Sequence, residues 1–173
     1  MSRLLIAPFS AIEDTVRRHR PSHLLTLMVE PFVPTPKGIE PERHLRVTVH
    51  DVVEPAEGSI CPESSDIADV LAFARDWDRS APFLVHCWAG ISRSTAAAYI
   101  LLCDIHGPGH EERIAQGLRS HAPHAQPNPL MIRHADALLG REGRMIAAVE
   151  AMGEGQMVWQ ADVVELPLSL DEL

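Results

Sequence analysis

The residues best able to do chemistry lie in one string, Val85-His86-Cys87-Trp88-Ala89-Gly90-Ile91-Ser92-Arg93-Ser94, which sets a cysteine directly after an apolar run and an arginine six positions later. A loop wrapped between a strand end and a helix start turns successive backbone N–H groups inward, and the helix N-terminus adds its partial positive charge. Such a loop is a cradle for an anion, with Trp88, Ala89, Gly90, Ile91 and Ser92 supplying the ring of N–H groups and Gly90 allowing the tight bend. A thiol at its centre is favoured as the thiolate, the nucleophilic form of cysteine. Arg93 adds a planar fork that can hold two oxygens of a phosphoryl group while charge redistributes. Cleaving a phosphoester also requires an acid for the leaving oxygen and then a base for water, roles that one carboxyl can fill in turn. Asp51 is the preferred candidate because it follows an apolar strand and emerges at the same sheet end as Cys87. Asp66, just after Ser65 at a helix start, is explained by the helix dipole alone, and Glu54 and Glu57 rank behind both.

The signature His-Cys, five residues, Arg, then Ser or Thr resembles that of the cysteine-dependent protein tyrosine phosphatases, and His86, Cys87, Arg93 and Ser94 match it position by position. The whole string is most similar to the compact dual-specificity branch, and the resemblance extends weakly from the third strand through Asn128. It implies that Cys87 is the nucleophile, that His86 supports the loop and that the Ser94 hydroxyl assists departure of the thiolate. Compact phosphatases place their acid in a loop like that of Asp51, although the 36 positions from Asp51 to Cys87 are a little more than the family pattern suggests. Asn128, in Gln126-Pro127-Asn128-Pro129, resembles an Asn that braces the catalytic loop, and it reads equally well as an ordinary helix N-cap.

The elements that position these residues follow from apolar periodicity and turn residues. Buried strands are expected at Leu4–Ala7, His23–Val29, Leu45–Val49 and Phe83–Val85. Ser10 with Glu13 suggests a capping box opening a helix, and Ser65 a cap for a second helix bearing Ile67, Val70, Leu71, Ala74 and Trp77. The segment Thr95–Cys103 is apolar on nearly every side, as a central helix must be. Further helices are predicted at Glu111–Leu118, at Pro129–Leu139 with Asn128 before it and Gly140 at its stop, and at Met145–Met152. Strands alternating with helices predict an α/β domain with a central, mostly parallel sheet of four to five strands covered on both faces. Residues 1–152 would form the phosphatase-like domain and 153–173 a C-terminal extension, either an edge strand or a tail.

Composition narrows the function classes. With 173 residues, 46% hydrophobic, the chain fits one domain. Fifteen basic against 24 acidic residues give a net charge of −9, and the scattered cations speak against nucleic-acid or anionic-membrane partners. No apolar run approaches the roughly 18–20 residues of a membrane span, so a soluble cytoplasmic protein is expected. Cys61, Cys87 and Cys103 lack metal-type spacing, and Gly107, Pro108 and Gly109 separate His106 from His110, so neither metal nor other cofactor is expected. Trp88 could wall the pocket or pack on neighbours, and Cys61 could resolve an oxidised Cys87. The partner implied is a phosphorylated protein, or a small aryl phosphate, with phosphotyrosine ahead of phosphoserine or phosphothreonine. Eight acidic residues against Arg75 between Asp51 and Asp78 disfavour strongly acidic substrates, and the absence of Lys or His between Cys87 and Arg93 disfavours polyphosphorylated inositol lipids. Two other classes share the loop: a phosphoanion-binding module without turnover, and a sulfurtransferase or arsenate reductase, which would need a second functional cysteine. The oligomeric state is not encoded in any of these features.

Overall fold

A computed structural model of the chain describes residues 3–173. Five strands form one sheet in the order β3-β2-β4-β1-β5, made of β1 (Arg3–Pro8), β2 (His23–Leu27), β3 (His44–Val47), β4 (Phe83–Cys87) and β5 (Val164–Pro167). The first four are parallel, and β5 joins the outer edge of β1 antiparallel, with Leu166 opposite Leu4. Alternation along each strand sends Leu4, Ile6, Leu25, Leu27, Phe83 and Val85 to one face and Leu5, Ala7, Leu24 and Leu84 to the other. The second face is covered by α1 (Ile12–His19) and by Met28, Val33 and Ile39 of the loop after β2.

The first face carries the remaining helices: α2 (Ser64–Arg75), α3 (Arg93–His106), α4 (Glu111–His121), α5 (Pro129–Leu138) and α6 (Arg144–Ala151). Every residue of α3 from Arg93 to Cys103 is buried, because α3 packs on the sheet and on α4 and α5. This all-round burial is why its sequence lacks a polar face. No helix among the described residues is long and apolar enough to cross a membrane.

Two helix starts differ from expectation. A single 3-10 turn, Phe9–Ala11, occupies the place of the Ser10 capping box, so α1 begins at Ile12 with no side-chain cap. For α2, Glu63 rather than Ser65 is the N-cap: its carboxylate accepts from the Asp66 backbone and the Asp66 carboxylate accepts from the Glu63 N–H, at 2.8 Å. The acidic pair thus forms the reciprocal cap usually made by Ser or Thr with Glu. Trp77 lies past the end of α2 but stays buried, its indole N–H donating to the Ala81 carbonyl.

The C-terminal residues share the main core. Leu166 is fully buried against the same cluster as Leu4 and Ile6, and a Cβ on Gly117 would overlap the Leu173 side chain. Leu166→Ala should therefore cost about 2–5 kcal/mol, the range for a buried Leu. Urea denaturation measures it, and a loss below about 0.5 kcal/mol, the level of an inert surface position, would mean that β5 contributes little to the fold.

Candidate active site

Cys87 ends β4, and six positions later Arg93 begins α3. Each carbonyl of the connecting loop is taken by a donor from outside it. Phe9 N–H donates to the Trp88 carbonyl (3.0 Å), Ala161 N–H to Ala89 (2.9 Å), the His124 ring to Gly90, Gln126 N–H to Ile91 (3.0 Å) and Asn128 N–H to Ser92 (3.3 Å). In a planar trans peptide the N–H points opposite to the C=O of the same unit. Outward carbonyls at 88–92 therefore require inward N–H groups at 89–93, which is the anion cradle. Gly90 makes the bend at φ +75°, where a Cβ would stand 3.1 Å from the Pro8 nitrogen and 3.3 Å from the Ala161 methyl. No other residue fits there.

The Ser94 Oγ lies 3.2 Å from the Cys87 Sγ. Arg93 is anchored by one arm, Nη1 donating to the Val49 carbonyl at 2.8 Å, while its buried Nε has no protein partner among the described residues. That leaves donors of the guanidinium fork available to a ligand. Asp51 comes to the same place: its Oδ1 accepts from Ser92 Oγ at 2.6 Å and from Asn128 Nδ2 at 2.9 Å. The loop behind it is held by the His50 N–H donating to the Ile60 carbonyl, by the Ile60 N–H donating to the His50 Nδ1, and by Arg133 donating to the Val53 carbonyl. Asn128 caps α5, as one reading of the sequence offered, while its side chain bonds the Asp51 loop and only its backbone N–H reaches the Cys87 loop. Its Oδ1 accepts from the Leu130 and Met131 N–H groups, capping α5, and its Nδ2 donates to Asp51 and to the Val52 carbonyl.

Cys87, Arg93, Asp51, Trp88, Ala89, Ile91 and Ser92 line one cleft of about 610 Å³, closed on its far side by Val149, Gly153 and Glu154. A second depression of about 430 Å³ meets it through Asp51, Trp88 and Arg93 and carries Glu30 and His50. Trp88 does both things foreseen for it, lining the cleft while stacking on Phe9 with ring centroids 5.7 Å apart.

No protein-family model matches the sequence, and no curated protein matches it. Solved structures do match the fold. DUSP15 aligns with a TM-score of 0.66 and 22% identity over 90% of this chain and 96% of that one, and human DUSP28 with 0.56 and 20% over 87% and 95%. PTPMT1, solved in complex with PI(5)P, aligns with 0.60 and 17% over 84% and 94%. The chain has the fold of the dual-specificity phosphatases.

Beneath the cradle runs a buried polar chain that the sequence reading missed. The Thr26 Oγ1 sits between the His86 Nε2 (2.7 Å) and the His44 Nε2 (2.8 Å), and His44 Nδ1 meets the Thr35 Oγ1 at 3.0 Å. Arg46, stacked on Phe32, donates to that hydroxyl at 2.9 Å. At the other end His86 Nδ1 faces the Cys87 carbonyl at 3.3 Å. A guanidinium only donates and a carbonyl only accepts, and a run of donations from Arg46 through Thr35, His44, Thr26 and His86 to Cys87 satisfies every group when both histidines are neutral. Their pKa values agree. Burial pushes His44 down to about 4, with Arg46 and then His86 adding repulsion; burial likewise lowers His86 to about 4, against the opposing pull of its bond to the Cys87 carbonyl. The available signal was a Thr inside the otherwise apolar strand His-Leu-Leu-Thr-Leu, which needs a polar partner.

Other candidates fall elsewhere. Asp66 and Cys61 line a separate depression with His134. Cys103 is buried beside Tyr99, and burial pushes its thiol up to about 12. His106 and His110 do come together despite the Gly-Pro-Gly between them, rings 6.3 Å apart, because that segment turns back on itself; His106 Nε2 is spent on the Leu168 carbonyl. Among the described residues no three His, Cys, Asp or Glu groups converge on a metal position.

The histidine chain has a consequence for stability. Histidines with folded pKa near 4, against 6.5 unfolded, bind fewer protons folded than unfolded between those values, so stability is full above pH 6.5 and falls as pH drops toward 4. Both act in the same direction across that window, and so do His23, His106 and His124, also lowered chiefly by burial. Urea midpoints from pH 7.5 to 4 should show this decline, and His44→Gln should flatten it. An unchanged slope in that variant would contradict a neutral buried His44.

Proposed function

We propose that the chain is a phosphomonoester hydrolase of the cysteine-dependent protein tyrosine phosphatase superfamily, acting through a cysteinyl-phosphate intermediate on phosphotyrosine or an aryl phosphate. The observation that carries this reading is the convergence on one cleft of the Cys87 thiol, the inward N–H ring, the half-engaged Arg93 and an Asp51 carboxyl bonded to the ring's own Ser92. In the first step the Cys87 thiolate attacks phosphorus, the P–O bond to the leaving group breaks, and Asp51 gives that oxygen its proton. In the second step the Asp51 carboxylate takes a proton from water, whose oxygen attacks phosphorus, and the thiolate leaves with the Ser94 hydroxyl donating to it. The N–H ring and Arg93 hold the three non-bridging oxygens throughout, as their charge shifts in the transition state. His86, Thr26 and His44 are positioning residues that hold the Cys87 carbonyl away from the cradle.

The chain is proposed to act as a soluble cytoplasmic enzyme on a phosphorylated partner, without metal or other cofactor. Phosphotyrosine is favoured over phosphoserine and phosphothreonine because an aryl ring suits a cleft walled by Trp88, Val53 and Val149. The sulfurtransferase and arsenate reductase readings need a second thiol at the cleft, and Cys61 lines another depression. A binding module without turnover would have no use for an acid such as Asp51 in the same cleft as Cys87.

Para-nitrophenyl phosphate turnover, with vanadate as inhibitor, tests the activity directly. Cys87→Ser should abolish hydrolysis and keep tungstate binding, because ring and guanidinium remain; more than a few per cent residual activity would remove the nucleophile assignment. Asp51→Asn should lower turnover of a poor leaving group by about 10²–10⁴, the usual range for acid catalysis, and lower it much less on an activated one. Asp66→Asn should change neither. The reverse ranking of these two variants would transfer the acid role to Asp66.

A further inference from the structure

Residues 153–161 cross from α6 to the back of the Cys87 loop and are pinned at both ends. Arg119 donates to the Gly153 and Pro123 carbonyls, Gln156 N–H to the Pro123 carbonyl, and Ala161 N–H to the Ala89 carbonyl. Gly155 lies so close to the chain at His124 and Ala125 that a Cβ would stand 2.8 Å from both. Between the pins protrude Met157, Val158 and Trp159, with Met157 99% and Trp159 100% exposed. A side chain that could bury roughly 150–250 Å² thus stands clear of the protein on a fixed support. Its place is set by the tether. Two residues span at most about 7 Å, so Trp159 lies near the loop that carries Ala89, and Gly153 and Glu154 of the same segment form the cleft wall. Trp88, half exposed, lines the same cleft.

The segment that carries this knob, residues 145–165, holds Glu150, Glu154, Asp162 and Glu165 and no Lys or Arg. Glu154 lines the cleft, Glu30 lines the adjoining depression, and exposed Asp162 follows the Ala161 pin. The nearby arginines are engaged, Arg119 and Arg133 with backbone carbonyls and Arg93 within the cleft. An apolar knob in an acidic field complements a polypeptide carrying apolar and basic side chains.

We propose that Met157–Trp159 is an exosite for the polypeptide flanking the phosphorylated residue, seating an apolar or aromatic side chain while Glu154 and Asp162 face a Lys or Arg. This names the substrate class of the cleft and rests on its reading as a phosphatase. A net charge of −9 disfavours anionic lipid as the occupant.

The test compares the wild type with a Met157→Ser, Trp159→Ser double variant on three substrates: para-nitrophenyl phosphate, a phosphotyrosyl peptide flanked by Leu, Phe and Arg, and one flanked by Gly and Ser. The variant should raise KM for the Leu/Phe/Arg peptide about tenfold, the effect of losing one aromatic anchor, with kcat unchanged. The other two substrates should keep their wild-type values. Asp162→Asn should produce a smaller KM increase for the same peptide, lessened at high salt. Equal effects on all three substrates, or none on the Leu/Phe/Arg peptide, would overturn the exosite. Binding to phosphatidylcholine vesicles that Trp159→Ser abolishes, with peptide KM unmoved, would assign the knob to a membrane and also overturn it. Absence of wild-type turnover on every substrate would remove the phosphatase reading alone. Anisotropy of the labelled Leu/Phe/Arg peptide would then decide the exosite, with weaker binding to the double variant supporting it and equal binding refuting it.

Discussion

A loop that presents five N–H groups to one point must send its carbonyls the other way, and each of those carbonyls then needs a donor, since an unpaired buried one is costly. Most of the tertiary structure around Cys87 meets that demand. The end of β1 supplies Phe9, the α4–α5 connection supplies His124, Gln126 and Asn128, and the segment leading into β5 supplies Ala161. Three stretches of chain far apart in sequence are brought to one loop. The sheet order accounts for the first, because β1 lies beside β4 in parallel register, with Pro8 opposite Cys87. The antiparallel return of β5 accounts for the last. Gly90 marks how tight the closure is, since its missing side chain is the space between β1 and Ala161.

The same logic explains the polar chain on the α1 side of the sheet. His86 follows Leu84 on a face that is otherwise apolar, and its Nδ1–H toward the Cys87 carbonyl leaves Nε2 as a buried acceptor. Thr26, its register partner on β2, supplies the proton and takes one from His44 at the start of β3. The chain ends at half-buried Arg46, so each buried group is paired while the charge sits at the edge of the sheet rather than under it. Three neighbouring parallel strands thus contribute one polar side chain each, at adjacent heights.

Local patterns made much of this legible. Apolar runs set four strands, helical spacing set most helices, and Asn128-Pro129 marked the start of α5, because each is fixed by neighbours within a turn or two. Cys87, Arg93 and Ser94 were legible for the same reason: they belong to one strand-loop-helix unit. What escaped depends on contacts between distant segments. Nothing local in Ala161 or His124 announces a donor to the loop, and β5 has four residues whose strand state comes from the free edge of β1. The cap of α2 escaped because Glu63 and Asp66 do what Ser is expected to do.

Asp51 shows how a side chain on a long loop can still be placed as firmly as one on a strand. The loop after β3 spans residues 48–63, as long as the connection from β2 to β3, and Pro55 and Gly58 give it no regular structure. Left to itself such a loop would sample many positions for its carboxyl. Here Ser92 bonds Asp51 from the Cys87 loop and Asn128 bonds it from the first turn of α5, while the Asn128 N–H also bonds the Ser92 carbonyl. Three segments close a small ring of hydrogen bonds at the cleft, and any shift of Asp51 must break two of them or move the cradle too. In the proposed reaction this ring fixes proton donor and nucleophile relative to each other before substrate arrives, so the ordering cost is met in folding rather than at each turnover. Both bonds fall on Oδ1, so Oδ2 is left without a protein partner among the described residues and is the oxygen able to pass a proton to a substrate and then accept one from water.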